Sequence, residues 1–145
     1  MIALIQRVQN ARVVIEGETV GSIDRGLLAL IGVAPGDNQS HADRCLHKLL
    51  NLRIFNDSQG KMNLSCQDIE AGLLLVPQFT LLADTSSGHR PSFTPAAKPE
   101  HSNPLFAYLL ERAKASYCHV QAGRFGADMQ VHLVNDGPVT LSIEV

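Results

Sequence analysis

The amino-acid sequence predicts an α/β fold, a single compact domain over residues 1–145 with mostly antiparallel or mixed β-sheet and two main helices. Three observations support it. Segments at both ends of the chain are rich in Ile and Val and alternate apolar with polar positions, as strands do. Two stretches between them, near 40–52 and 103–118, repeat apolar residues at helical spacing. A chain of 145 residues with 45% hydrophobic content can bury one sizeable core, whereas two domains would each be marginal.

The chain opens with Ile2 to Val8 and Arg12 to Ile15, broken by Glu16-Gly17-Glu18 before Thr19 to Ile23, the pattern of short paired strands. Leu27 to Val33 is apolar on consecutive positions and closes on Pro35-Gly36-Asp37-Asn38, which suits a central strand buried on both faces. Ser40 followed by Asp43 marks a helix start, and Ala42, Leu46, Leu49 and Leu50 carry the apolar face to about Leu52. Arg53-Ile54-Phe55 reads as a brief strand, 56–60 as a turn, and Leu73 to Leu82 as a second buried strand interrupted by Pro77. A proline-punctuated stretch from about Asp84 to Asn103 is too long for an ordinary connection, and such loops are often functional. Asn103-Pro104 supplies a cap and first-turn proline for a second helix ending near Cys118. Alternation from Met129 to Val134 and from Val139 to Val145, around Asn135-Asp136-Gly137-Pro138, predicts strand, turn, strand.

A net charge of −2 gives no bulk attraction to nucleic acid, and the twelve basic residues form no run; a compact patch for the end of an RNA remains compatible with both. Three cysteines without close pairing, and a start lacking a basic leader, lead to the expectation of a reduced, intracellular protein. No apolar stretch approaches the roughly 20 residues needed to span a bilayer.

Six histidines, at 41, 47, 89, 101, 119 and 132, show no recognised ligand spacing, so no metal site is expected. There is no phosphate-binding loop, no Gly-x-Ser-x-Gly, and no signature of a thiol nucleophile around Cys66. Thr80 offers a hydroxyl at a strand end, and the N–H groups of Gln78, Phe79 and Thr80 could donate to an ester carbonyl or its oxyanion; equally, Phe79 and Leu81 could be core and Thr80 a strand filler. Gly137-Pro138 could aim carbonyl oxygens or be a plain hairpin turn. Arg7 is either a fork that locks a carbonyl-rich turn or a solvated strand charge. Arg90-Pro91-Ser92-Phe93 could cap a ligand pocket or be a pinned surface turn.

Pro77-Gln78-Phe79-Thr80-Leu81, Arg90-Pro91-Ser92-Phe93, Gly123-Arg124-Phe125 and Asn135-Asp136-Gly137-Pro138-Val139-Thr140 together resemble the D-aminoacyl-tRNA deacylase family. Ile5-Gln6-Arg7-Val8, Arg53-Ile54-Phe55 and Gly60-Lys61-Met62-Asn63 extend the resemblance over nearly the whole chain. It implies a barrel-like core and cytoplasmic hydrolysis of D-aminoacyl-tRNA, with glycyl-tRNA only partly excluded and no cofactor. It implies a homodimer in which a cis Gly137-Pro138 turn enters the partner's active site, captures the α-amino group and rejects L-substituents. Gln78, Phe79 and Thr80 would be the catalytic set; Gly137, Pro138, Arg7 and Met129 would bind and select substrate. The family pattern has serine where this chain has Pro77. A related group that edits L-alanyl-tRNA resembles Pro-Gln-Ala-Thr at this point, which makes an L-alanyl editor one alternative; a catalytically silent tRNA-binding dimer is the other.

Overall fold

The structure is a computed structural model that describes residues 1–145. Its axis is β1 (Ile2–Ile15), a 14-residue strand with antiparallel neighbours on both edges. One edge pairs first with β3 (Gly26–Gly32), along Ile2 to Val8, and then with β2 (Glu18–Ile23), along Ala11 to Ile15. The other edge carries β8 (Gln130–Glu144) along nearly its whole length. A bulge between Val8 and Asn10 flips the side-chain parity of β1. Ala3 and Ile5 therefore join one core cluster, while Val8, Ala11, Val13 and Ile15 join another.

The sheet continues from β3 to β6 (Gly72–Pro77) and β7 (Val120–Ala122), both added in parallel. Parallel neighbours need crossovers, and the two helices supply them. Helix α1 (Gln39–Asn51) lies between β3 and β6, and α2 (Pro99–Ser116) between β6 and β7. Both pack on the face presenting Leu27, Ala29, Ile31, Leu73 and Leu75, and the opposite face, with Leu28, Leu74 and Val76, is lined by the second half of β1. Consecutive apolar residues in β3 and β6 are explained by this double burial. Contact between β2 and β7 nearly closes the sheet into a barrel. The α/β class, the two main helices and the barrel-like core stand as expected, with the sheet mixed in direction.

Several boundaries differ from expectation for physical reasons. Asn38, not Ser40, caps α1: its Oδ1 accepts the Ser40 and His41 N–H at 3.0 and 3.4 Å, while His41 Nδ1 accepts the Asn38 N–H at 3.2 Å. The second helix begins a turn early, with Pro99 in its first turn, and Pro104 lies inside it. The strand predicted to reach Leu82 stops at Pro77 and passes into a 3-10 turn, Phe79–Leu82. The predicted strand at 53–55 is reduced to β4 (Phe55–Asn56), paired with β5 (Met62–Leu64).

The expected hairpin at 135–138 does not form. Both flanks of Asn135-Asp136-Gly137-Pro138 belong to one continuous strand, β8, and both pair with β1 in the same direction. Val8 pairs with Asn135 and Gln6 with Thr140, so residues 136–139 lie opposite Arg7 alone and must loop out. The result is a protrusion from a sheet edge, with the Gly137-Pro138 peptide cis.

Candidate active site

Where β6 ends, Pro77 sits opposite Ile31 in the parallel ladder and Gln78 N–H donates to Ile31 O at 2.7 Å. Successive residues of a strand address opposite edges, so the position of Pro77 faces the β7 side. The bonds there end with Gly123 N–H on Leu75 O at 2.9 Å, and Pro77, lacking an N–H, cannot extend them. The chain then turns: Leu81 N–H reaches Gln78 O at 3.4 Å and Ala83 N–H reaches Thr80 O at 3.1 Å. The first N–H groups of such a turn have no partner within it, and those of Phe79 and Thr80 meet no protein acceptor. Of the three expected backbone donors, Gln78 is thus consumed and two remain free. The Gln78 side chain has a different task, donating from Nε2 to Thr80 Oγ1. Gly32 makes room for the turn, since a Cβ there would lie 2.7 Å from Leu82 Cδ1 and 3.2 Å from Gln78 O.

Beside the turn opens a cleft of about 690 Å³ with 20 lining residues, 12 of them hydrophobic, the size and character of a small-molecule site. Pro77, Gln78 and Phe79 form one wall, and Phe125 to Met129 form another. Phe93, from the long loop, meets Phe79 edge to face at 5.1 Å between ring centroids, so this loop does border the cleft. Arg124 N–H points at Met129 Sδ, 3.4 Å away, fixing that side chain toward the second wall. Lys98 and Asp128 are the only charged residues in the lining, and no histidine is among them. Neither Lys98 nor Asp128 is hydrogen-bonded to Thr80, whose hydroxyl is engaged by Gln78. Thr80 itself is exposed and lies one residue beyond the lining. Burial pushes the Cys45 and Cys66 thiols up to about 11, keeping both protonated and inert at neutral pH.

Arg7 is not the solvated charge that strand alternation allows. It is only 7% exposed. Its Nη1 donates to Ile54 O at 2.7 Å, and its Nε lies 3.2 Å from both the backbone oxygen and the carboxylate of Asp136. The guanidinium thereby ties the root of the protrusion to the segment before β4. Gly137 has φ of +122°, and a Cβ there would meet Arg7 Nη2 and Val139 Cγ2, each at 2.9 Å. Only glycine fits.

Met129, Gln78 and Phe79 therefore share one cleft, whereas Arg7, Gly137 and Pro138 do not line it. Arg7 pairs with Leu27 while Gln78 docks on Ile31, four residues along β3, or about 13 Å of strand. Pattern reading missed the contributions of Ser102 and Phe106 from α2 and of Ile31 and Val33 from the β3 end. Phe106 and Ile31 carried only a core signal, which a pocket wall shares.

Fold and cleft define an α/β domain of the deacylase fold. A solved structure titled c-Myc DNA Unwinding Element Binding Protein superposes with a TM-score of 0.94 at 38% identity, covering 100% of this chain and 99% of that one. A probable eukaryotic D-amino acid tRNA deacylase shares the fold, with a TM-score of 0.86 at 14% identity over 99% and 98% of the two chains. The D-Tyr-tRNA(Tyr) deacylase family profile matches residues 4–144. A D-aminoacyl-tRNA deacylase of Pseudomonas putida is 61% identical over 145 residues, 100% of each chain. One of Stutzerimonas stutzeri is 62% identical over 144 residues, 99% of each. The chain belongs to the D-Tyr-tRNA(Tyr) deacylase family and is a hydrolase of the aminoacyl-tRNA ester bond.

Proposed function

We propose that this protein removes D-amino acids from tRNA in the cytoplasm, working as a homodimer in which the Gly137-Pro138 corner of one subunit closes the other's cleft. The observation that carries this reading is the protrusion itself. It is anchored by a buried arginine whose place on the sheet is about 13 Å of strand from the Gln78 end of its own chain's cleft, yet its tip is exposed. A second subunit supplies the missing cleft. Main-chain groups of the corner would hold the α-amino group of a D-aminoacyl ester and collide with the side chain of an L-aminoacyl ester. Glycyl-tRNA, without a side chain, would be only partly excluded.

In this reading the free Phe79 and Thr80 N–H groups receive the ester carbonyl and stabilise the oxyanion that forms on it. Gln78 orients the Thr80 hydroxyl, which positions substrate or water instead of attacking. With no histidine in the lining and neither Asp128 nor Lys98 bonded to Thr80, the vicinal ribose hydroxyl of the substrate assists the attacking water. Phe79, Phe93, Phe125 and Met129 give the terminal nucleoside an apolar seat.

Matched D- and L-tyrosyl-tRNA are the test: ester loss should be selective for the D-form, and equal rates on both would refute the reading. Mixing a corner-damaged subunit with a Thr80-turn-damaged subunit should restore one working site per heterodimer if the corner acts on its neighbour. No recovery would place both parts in one chain. Pro77 favours a second reading, an L-alanyl-tRNA editor, which predicts preference for alanine mischarged on threonine tRNA.

A further inference from the structure

Arg7 holds the root of the protrusion, but the neck carries a separate set of bonds. Asn135 and Thr140 are the paired residues on either side of it, facing Val8 and Gln6 of β1. Asn135 Nδ2 donates to Thr140 Oγ1 at 2.8 Å, and Asn135 Oδ1 accepts the Val139 N–H at 3.3 Å. Thr140 Oγ1 takes a second donor, Gln6 Nε2, at 3.2 Å. The amide of Asn135 thus spans the mouth of the loop with both of its ends engaged, and Gln6 ties the far side to β1. None of these bonds involves Arg7.

Residues 136–139 face a single residue of β1, so the ladder cannot set their direction. The strand on either side does not need the side-chain bonds, because backbone pairing already holds Asn135 and Thr140 in register. What the side chains fix is the width of the neck. We propose that Asn135 and Thr140 form a clasp that aims the Gly137-Pro138 corner and so sets the degree of D/L discrimination. They are positioning residues that act through the corner without touching substrate. The inference rests on the gate reading above and adds to it the residues that hold the gate still.

Thr140 is exposed and Asn135 half-buried, and valine has at least the strand preference of threonine, so Thr140→Val removes the acceptor without disturbing the core. The experiment measures kcat/KM on D- and L-tyrosyl-tRNA, together with thermal melting, for the wild type, Thr140→Val, Thr140→Ser, Asn135→Ala and the double variant. Loss of one such bond should lower the D/L ratio by about fivefold or more in Thr140→Val and in Asn135→Ala. The double variant should add little, because the two changes break the same contact. Thr140→Ser keeps the oxygen and should keep the ratio within about twofold. An unchanged ratio in folded Thr140→Val overturns the clasp, as does failure of Thr140→Val to fold, since that reports a purely structural role. Absence of D-preference in the wild type would instead sink the gate reading. Wild-type preference retained in full by both single variants would sink the clasp alone.

Discussion

Replacing Arg7 with Met should destabilise the protein by about 2–4 kcal/mol and erode its D/L discrimination. Met retains much of the aliphatic stem, so the loss is mainly that of the guanidinium. Ile54 is 4% exposed, and its carbonyl loses the 2.7 Å donor, a stranded buried acceptor worth about 1–3 kcal/mol. The Asp136 carboxylate is 36% exposed and can recover water, so breaking this pair costs about 1 kcal/mol, well under a fully buried one. For a chain of this length, the sum corresponds to a fall in Tm of about 6–16 °C, readable by circular dichroism. Arg7→Lys separates charge from geometry. One ammonium cannot serve Ile54 O and Asp136 as the fork does, so Lys should recover less than about half of the lost stability. If Arg7→Lys melts within about 2 °C of the wild type, charge alone suffices and the fork is not what holds the corner.

The remaining expectations concern the thiols and the turn. A thiol reagent should modify Cys118 alone in the native protein and Cys45 and Cys66 only after denaturation, because these two are buried; rapid native labelling of all three would contradict the fold. Both buried thiols rise from 9.0 to about 11, so the folded state favours their protonated form; stability should be unaffected by them below about pH 9 and fall as pH climbs from 9 to 11. Melting points across that range, with Cys66→Ala showing a shallower slope, check the sign. Phe79→Ala should cost about 0.5–1.5 kcal/mol through the lost Phe93 edge contact, and should raise KM more than it lowers kcat because the backbone donor at 79 survives. Gly32→Ala should lower kcat by displacing the turn through Leu82 and Gln78, and unchanged kinetics would show that the turn's position is not critical.

Elements with long, strong periodicity were legible: the terminal strands, the doubly buried β3 and β6, and both helix faces. Boundaries failed where the sequence offers one signal twice. Asn38 and Ser40 are both good caps, and Pro99 and Pro104 both mark a first turn, so residue type alone does not choose between them. Strand β7 spans only Val120–Ala122, too short for any period to emerge, and it exists because β6 offers a free edge. The hairpin at Asn135-Asp136-Gly137-Pro138 failed for a deeper reason. Gly, Pro, Asn and Asp report that the chain bends, not whether it returns on itself. The pairing of both flanks with β1, a property of residues more than 120 positions away, decides that. Arg7 was ambiguous on the same ground, since its acceptors at Ile54 and Asp136 are remote in sequence.

Both parts of the proposed machinery are interruptions of a ladder. Pro77 ends β6 so that the next N–H groups, at Phe79 and Thr80, have no strand to bond; one residue of β1 facing residues 136–139 leaves that backbone outside the ladder, with side chains of Arg7 and Asn135 as its partners at Asp136 O and Val139 N–H. A sheet normally consumes its main-chain donors and acceptors, and an enzyme that works through backbone groups must stop the sheet where it needs them. Side chains then hold the freed segments in place: Gln78 on Thr80, Arg7 on Asp136, Asn135 on Thr140. Selection by main chain is blind to the substrate's side chain except for its hand, which suits the D-selective hydrolysis proposed above. It also predicts where sequence can drift. Pro77, where the resemblance expects serine, is the last residue of β6, and the unbonded N–H groups of Phe79 and Thr80 lie beyond it, so the exchange leaves both donors in the backbone.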